Sequence, residues 1–207
     1  MSAIRARGFS LVELMITLVV AAILTAIAWP NFRDFMHRNA ATAQANQILA
    51  SMQYARNEAV SRRYPTAICA SASTDKTQPA CDGGNAFDGG WMVWLDSSLS
   101  GIPAYTSTTG ANGDELLRVT SPQNGVSVEA FLDATPTNQF SFDQRGMVIG
   151  ANSKITNIVV CAKNKPEDPL GVNTARVPGK YVRVDASGRI TVQNLATTDA
   201  CDSPPSS

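Results

Sequence analysis

The sequence is poor in the residues that most often perform catalysis or bind metal ions. It contains one histidine, His37, among 207 residues, and its four cysteines form no Cys-x-x-Cys pair. A histidine-dependent active site and a zinc site of the usual spacing are therefore not expected. The sequence also contains no nucleotide-binding loop, nucleophile elbow or His-Glu-x-x-His motif. We predict that the chain is not an enzyme and uses no cofactor or metal ion.

Charge is also scarce, and it is balanced. Charged residues make up 16% of the chain, with 17 basic side chains against 17 acidic ones. A formal net charge of zero argues against a protein that is held to nucleic acid by its overall field, although a local basic patch remains compatible with it. The apolar content of 44% is too high for a disordered chain, and the length suits one domain with an appendage.

The N-terminal segment differs from the rest of the chain. Residues 1–8 carry Arg5 and Arg7 and no acid, and residues 9–29 form an apolar run whose only charge is Glu13. At about 1.5 Å per residue, this run covers about 31 Å as a helix, enough to cross a bilayer. A buried core helix and a removable secretory signal are the alternatives. The basic leader and the Trp-Pro end of the run favour a retained transmembrane helix with a cytoplasmic N-terminus.

Glu13 is the unusual residue of this run. A carboxylate near the middle of a membrane helix costs about 2.5–3.5 kcal/mol and needs a partner. No basic residue lies within helical reach of it on the apolar side. Cleavage after Gly8 would create a cationic α-amine at Phe9, which Glu13 of a neighbouring copy could neutralise. The pattern indicates an assembly in which buried charges are matched between subunits.

Residues 8–14 read Gly-Phe-Ser-Leu-Val-Glu-Leu, and they resemble the processing site of type IV pilins and type II secretion pseudopilins. The resemblance implies that a prepilin peptidase cuts between Gly8 and Phe9 and methylates the Phe9 amine, and that Glu13 serves subunit docking. Pro30 stands where this class commonly has a helix-kinking proline. The implied partners are other pilins or pseudopilins bound through the N-terminal helix, the inner-membrane assembly platform and the lipid bilayer.

Helical periodicity continues beyond Pro30. Small and apolar residues recur at steps of three and four over residues 41–59, which places them on one helix face. This stripe consists of Ala41, Ala45, Ile48, Met52, Ala55 and Ala59. Pro30 should kink the helix without ending it, and Pro65 should follow its last turn. The sequence thus predicts a transmembrane half over 9–29 and an amphipathic half over 30–64 that packs on a globular domain.

After Pro65 the pattern changes to short runs rich in β-branched and aromatic residues, separated by turns of Gly, Pro, Asn and Asp. Strands are predicted over residues 66–72, 90–96, 115–121, 125–132, 138–142, 146–150, 154–162, 180–185 and 188–194. Strands joined by short turns form antiparallel sheets that bury one face, here against the long helix. The predicted fold is pilin-like α+β, with a periplasmic β-rich domain over 65–202 and a flexible tail over 203–207.

The β-rich part resembles the GspH/FimT branch of minor pilins and pseudopilins in FDGGWMVWLD (87–96), NGDELLRV (112–119) and FSFDQRGMVIG (140–150). With the N-terminal motif, the resemblance covers most of residues 8–162. It implies a minor pilin that primes or caps a type IV pilus at the filament tip. Two alternatives stay open. One is an H-like pseudopilin of the periplasmic type II secretion pseudopilus, and the other is a FimT-like minor pilin that binds DNA for uptake.

The four cysteines are Cys69, Cys81, Cys161 and Cys201, and they permit three pairings. An exported domain makes disulfides the default, with free buried thiols as the alternative. We favour Cys69–Cys81, which closes a short loop, and Cys161–Cys201, which joins the C-terminal hairpin to the sheet. A peptide map that linked Cys81 to Cys161 would contradict this pairing.

A further site is predicted in the hairpin over residues 180–193. Strand alternation divides its side chains between two faces. Val182, Val184, Ile190 and Val192 point inward, and Tyr181, Arg183, Arg189, Thr191 and Gln193 share the outer face. Two arginines beside an aromatic ring suit the phosphates and a stacked base of single-stranded DNA. FimT-type receptors resemble this site with a Gly-Arg-x-Arg motif, whose last position is Thr191 here. The alternative, which we favour, is a solvated face with Arg183 paired to an aspartate.

Overall fold

The computed structural model describes residues 9–71, 80–81, 84–97, 99, 105, 114–121, 123–149 and 156–205. The chain divides into two compact units, Met1–Met36 and His37–Ser207. Gly8, Arg5 and Arg7 lie outside the described residues, so the predicted cleavage site is described only from Phe9 onward.

A single helix, α1, runs from Leu11 to Arg62 and contains Pro30. The apolar run and the stripe therefore belong to one continuous helix, as the sequence predicts. The helix ends two residues before the predicted end because Arg63 adopts a left-handed φ of 59°, which stops an α-helix. The kink at Pro30 stays a prediction.

Nine strands follow the helix in the described residues: β1 Thr66–Ala70, β2 Trp91–Leu95, β3 Glu115–Thr120, β4 Val126–Leu132, β5 Thr135–Pro136, β6 Gln139–Phe142, β7 Thr156–Ala162, β8 Lys180–Val184 and β9 Ile190–Asn194. They form a four-stranded sheet in the order β3-β2-β1-β6 and a five-stranded sheet in the order β5-β4-β7-β8-β9. Each strand pairs antiparallel with its neighbours, so the predicted antiparallel architecture is confirmed.

The main core joins the stripe on α1 to both sheets. Every residue of the predicted stripe is buried, and Gln44 and Ser51 are buried on the same face. The cluster continues through Trp91 and Phe140 of the four-stranded sheet and Val160 of the five-stranded sheet. Alternating apolar side chains on the strands and one apolar face on the helix thus meet in a single core.

Two strand predictions differ from the structure. Residues 146–150 were predicted as a strand, but the described part of this segment pairs only at Val148, through an isolated bridge to Phe142. The cause is a turn in which Asp143 Oδ1 accepts the N–H groups of Arg145 and Met147, both at 2.8 Å. Strand β5 was not predicted, because a two-residue strand that includes a proline has no alternating pattern to detect.

The outer face of the five-stranded sheet, which turns away from α1, is partly covered. Phe131, Val159, Cys161, Leu195 and Cys201 form a second buried cluster. The expectation that each sheet buries one face is therefore incomplete, and the four-stranded sheet likewise buries Ala67, Cys69, Met92 and Trp94 on its second face. Residues 195–201 lie over it because side-chain hydrogen bonds and a disulfide hold this segment to the sheet.

Both predicted disulfides are present. Cys69 joins Cys81 across 12 residues, and Cys161 joins Cys201 across 40 residues. The second bridge connects the central strand β7 to the C-terminal segment. Asn173 supports the same connection, since its Nδ2 donates to the carbonyls of Ala196 (2.6 Å) and Asp199 (3.0 Å).

One junction connects α1 to the turns of both sheets. Arg56 Nε donates to the carbonyl of Gly146 at 3.0 Å, and the N–H of Val148 donates to the carbonyl of Ala186 in the β8–β9 turn at 3.4 Å. Gly188 has a φ of +78°, and a Cβ atom there would lie 1.9 Å from the Gly146 carbonyl oxygen. Only glycine fits this close approach.

Candidate functional site

Helix α1 begins with a side-chain cap at the predicted processing site. Ser10 Oγ accepts the N–H of Glu13 at 3.2 Å, and the Ser10 carbonyl accepts the N–H of Leu14 at 3.2 Å. The spacing Ser-x-x-Glu is that of a capping box, whose serine satisfies a free N–H of the first turn. Phe9 precedes this cap and is 80% exposed. The cap fixes where the helix starts and leaves Phe9 accessible.

The first part of α1 exposes its apolar side chains. This part is long and apolar enough to cross a bilayer, and none of its most apolar stretch is buried. Exposed large apolar residues include Leu11, Val12, Leu14, Met15, Ile16, Leu18, Val19, Val20, Ile23, Leu24, Ile27, Trp29 and Phe32. A helix surface that is apolar on all sides requires a surrounding of lipid or of other apolar helices.

The other hydroxyl side chains of this stretch are satisfied by the helix itself. Thr17 Oγ1 donates to the carbonyl of Leu14 at 2.9 Å, and Thr25 Oγ1 lies 2.9 Å from the carbonyls of Ala21 and Ala22. Such back-bonding hides a hydroxyl from an apolar surrounding. Sequence reasoning missed both this back-bonding and the cap, although the Ser-x-x-Glu spacing was visible.

Glu13 is the exception in this stretch. Among the Ser, Thr and Glu side chains of residues 9–29, its carboxylate alone has no hydrogen-bond partner or ion pair in the described residues. An unpaired carboxylate in an apolar surrounding is expensive, and a cation supplied by another molecule would remove that cost. The local geometry thus leaves Glu13 available for an intermolecular ion pair.

The structure places the predicted hairpin residues as strand alternation requires. Val182 pairs with Val192, and Arg183 pairs with Thr191. Arg183 and Arg189 line one shallow groove with Asp185, Thr191 and Gln193. Neither arginine forms an ion pair in the described residues, which differs from the alternative in which Arg183 is paired with an aspartate.

Tyr181 is separated from this groove. Its hydroxyl donates to Gln193 Oε1 at 2.6 Å, and its ring packs against the second buried cluster. The ring is thus already partly covered by protein and is not part of the groove lining. The structure brings the two predicted arginines together but does not add the predicted aromatic ring to them.

Asp185 holds the turn beside the two arginines. Its Oδ1 accepts the side-chain hydroxyl and the N–H of Ser187, and the N–H of Arg189 at 3.0 Å. The hydrogen bond from the Ser187 hydroxyl contributes most to lowering the pKa of Asp185, and the backbone bonds and the Arg189 charge add to it. The negative charge of Asp185 therefore remains in the groove at neutral pH.

Glu129 on β4 is a buried acid that sequence reasoning did not single out. It is 9% exposed. Burial first, and then the carboxylates of Asp88 and Asp202, raise the pKa of Glu129 to about 6, while Lys163 opposes the shift. Lys163 Nζ lies 3.0 Å from Asp88 Oδ2. Alternation along β4 predicts only that Glu129 points outward, because the C-terminal segment that covers this face is distant in sequence.

Metal ligands are not grouped in the described residues. No cluster of three or more His, Cys, Asp or Glu side chains there has a geometry that would hold a metal ion. The acids around Glu129 are therefore not a metal site in that part of the chain.

Two family models match the sequence. Residues 44–188 match the model described as type II transport protein GspH. Residues 4–29 match the prokaryotic N-terminal methylation motif. The first match covers more than half of the chain, including residues 44–62 of α1 and eight of the nine described strands. No curated protein matches the chain at a significant level.

Solved structures with similar folds include the type IV minor pilin FimU of Pseudomonas aeruginosa strain PAO1. In two crystal forms it is 18% and 19% identical to this chain, with TM-scores of 0.48 and 0.50. The alignments cover 78% and 82% of this chain and 98% of FimU. The minor pseudopilin EpsH of the Vibrio cholerae type 2 secretion system is 13% identical, with a TM-score of 0.42, over 77% of this chain and 98% of EpsH.

Proposed function

We propose that this chain, which belongs to the GspH family of type II transport proteins, is a minor pilin that primes or caps a type IV pilus at the filament tip. The methylation motif over residues 4–29 supports cleavage between Gly8 and Phe9 by a prepilin peptidase, followed by methylation of the Phe9 amine. The subunit is then stored in the inner membrane, and it joins the filament by packing its N-terminal helix against those of other subunits.

The proposed mechanism is physical. Lipid tails and the apolar side chains of other helices offer similar surroundings to residues 11–29, so transfer from membrane to filament changes little apolar burial. Every hydroxyl group in this stretch forms a hydrogen bond within the helix. Apart from the Glu13 carboxylate, no side chain of the stretch therefore needs a polar partner in the filament. The carboxylate of Glu13 then selects the position at which the transferred helix stops.

The unpartnered carboxylate of Glu13 carries this proposal. A methylated Phe9 amine on a neighbouring subunit is the cation that the N-terminal processing would supply. The two charges would neutralise each other within an apolar helix bundle, where an ion pair is much stronger than in water. The pair thus favours one register between adjacent helices.

The test is incorporation of a Glu13→Ala variant into filaments, in cells lacking the natural chain. We expect normal cleavage and methylation, measured by mass spectrometry of the mature N-terminus. We also expect at least about a tenfold loss of incorporation, because a loss of about 1.4 kcal/mol of docking energy lowers the equilibrium constant for incorporation tenfold. Thr17→Val is the matched control, since it removes a polar group that the helix satisfies itself. Normal incorporation of Glu13→Ala would refute the docking role.

The orientation of the subunit is part of the proposal. Arg5 and Arg7 favour a cytoplasmic leader by the positive-inside rule. The two disulfides favour a periplasmic location for residues 37–207, where thiols are oxidised. The inner-membrane assembly platform is the proposed machinery that moves the subunit out of the bilayer.

An H-like pseudopilin of the type II secretion system is the alternative within the same family. It would use the same helix and the same carboxylate in a periplasmic pseudopilus. Deletion of the chain separates the two roles. Loss of twitching motility with normal secretion supports the pilus subunit, and loss of exoprotein secretion with normal twitching supports the pseudopilin.

Binding of single-stranded DNA is a second candidate function, and the unpaired Arg183 and Arg189 in one groove favour it. Asp185 in the same groove and the packed ring of Tyr181 weaken it. A gel-shift experiment at low salt, with Arg183→Ala and Arg189→Ala as variants, tests it. Retarded DNA with the parent chain and weaker retardation with both variants is the expected result, and no retardation by the parent chain ends the hypothesis.

A further inference from the structure

Strand β9 is the outer strand of the five-stranded sheet, and one row of its main-chain groups faces away from β8. The N–H of Leu195, directly after β9, bonds to the carbonyl of Gly179 at 2.9 Å. Bonded and non-bonded positions alternate along an antiparallel pair. Ile190, Val192 and Asn194 therefore direct their N–H and C=O groups to the free edge. No described residue forms a hydrogen bond with these groups.

The other three sheet edges carry features that hinder the addition of a strand. β5 is two residues long and ends in Pro136. β3 carries Glu115, and its register against β2 is irregular. β6 is covered by the next segment, since the N–H of Ile149 donates to the carbonyl of Ser141 at 2.8 Å. Short length, charge, irregularity and covering are the usual ways to protect an edge. β9 reads Ile-Thr-Val-Gln-Asn and has neither a charge nor a proline.

A groove of about 430 Å³ lies beside the start of β9. It is lined by Gln53, Arg56 and Asn57 of α1 and by Ser187, Arg189 and Ile190 of the hairpin. Two guanidinium groups and two side-chain amides thus face one space, and none of these lining residues is acidic. Arg56 uses Nε to bond Gly146, which leaves its terminal nitrogens for a ligand. The charge of the groove is complementary to carboxylates.

We propose that β9 accepts an extended, acidic peptide segment of a neighbouring filament subunit as an additional strand. The segment would bond to the free main-chain groups of Ile190, Val192 and Asn194, and its carboxylates would meet Arg56 and Arg189. In such strand addition the main chain supplies affinity, and charge-assisted hydrogen bonds supply selectivity. The source of the segment rests on the proposed function, whereas strand addition itself does not and is testable on the isolated chain.

The experiment uses the full chain in detergent micelles and a short fluorescent peptide of alternating valine and glutamate. A peptide with lysine in place of glutamate is the matched probe. We expect the glutamate peptide to bind at least about tenfold more tightly at low salt, because the groove is basic. We also expect slower amide exchange at Ile190, Val192 and Asn194 when the glutamate peptide is bound.

Variants locate the binding site. Val192→Pro removes an outward N–H without removing a bond to β8, and it should abolish binding. The double variant Gln53→Glu with Asn57→Asp keeps the edge intact, changes only exposed side chains, and should weaken binding by at least about tenfold through repulsion. Arg118→Ala is the control and should leave binding unchanged, because Arg118 is an exposed residue of β3 in the other sheet.

Three results would overturn the proposal. They are equal binding of the lysine peptide, unchanged exchange at the β9 edge in the presence of the glutamate peptide, and full binding by the double acidic variant. Binding of oligothymidylate at these amides in place of the peptide would likewise reject it and would favour the nucleic-acid function. The result of the incorporation test with Glu13→Ala does not affect this experiment, because peptide binding is measured on the isolated chain. The two proposals can therefore fail independently.

Discussion

The two units of the chain use apolar side chains in opposite ways, although each contains part of helix α1. In the first unit, residues such as Met15 are exposed on every side of α1. In the second unit, one stripe that includes Met52 is buried against both sheets, and the exposed side of the helix includes polar residues such as Gln53 and Asn57. The first unit relies on molecules that are not part of the chain, and the second is stabilised by its own core. Apolar content alone therefore does not reveal which kind of stability a segment has.

Removing the disulfides should have the largest effect, and it should be confined to the second unit. Chain-entropy estimates give about 4 kcal/mol for a 40-residue loop and about 3 kcal/mol for a 12-residue loop. We therefore expect Cys161→Ala with Cys201→Ala to destabilise the chain more than Cys69→Ala with Cys81→Ala. Denaturation in detergent micelles, followed by tryptophan fluorescence in a Trp29→Phe background, measures both. The reverse order would contradict the loop-length argument.

The same substitution made in both units tests the comparison directly. Met52 is 0% exposed and Met15 is 59% exposed. Met52→Ala should lower the free energy of unfolding by about 3 kcal/mol, because it leaves a cavity in the core. Met15→Ala should change it by less than about 0.5 kcal/mol, since it removes no internal contact. Equal losses in the same denaturation experiment would mean that the exposed stretch packs on the second unit.

The smallest expected effect is a pH dependence that arises from Glu129. Its pKa is about 6 in the folded chain, above the ordinary value of 4.5. Between these values the folded state binds more protons than the unfolded state, so stability should fall as the pH rises from about 4.5 to about 6. Glu129→Gln should flatten this part of the profile of unfolding free energy against pH. An unchanged slope in the variant would assign the dependence to other groups.

Much of the fold follows from local patterns in the sequence. Steps of three and four predict the buried stripe from Ala41 to Ala59, and alternation predicts that Val182 and Val192 both point to the inner face of the hairpin. These features depend on side-chain periods that neighbouring residues share. The end of α1 is also predicted to within two residues, because Pro65 marks it.

Other features depend on residues that are far apart in the chain. The second cluster forms because residues 195–201 return to the outer face of the five-stranded sheet, and nothing in the pattern of β7 or β8 signals that covering. The same return packs the ring of Tyr181 and brings Asp202 near Glu129. The segment at 146–150 has the composition of a strand. In the turn, however, Asp143 accepts hydrogen bonds from N–H groups of this segment, so these groups do not pair with a neighbouring strand.

The candidate site also has one part that the sequence predicts and another that depends on the three-dimensional structure. The motif over residues 8–14 predicts roles for Phe9 and Glu13 from the sequence alone, because the class is defined by a short run of sequence. The satisfied hydroxyls of Thr17 and Thr25 and the free edge of β9 emerge only from the three-dimensional arrangement, since each depends on where main-chain groups point.

The junction of Arg56, Gly146 and Gly188 has a mechanical consequence. Tension applied along α1 can reach the sheets only through the contacts that this helix makes with them. Arg56 bonds the turn at Gly146, and that turn closely approaches the hairpin at Gly188, so α1 is connected to both sheets at one point. We expect such a connection to oppose the separation of either sheet from the helix under force.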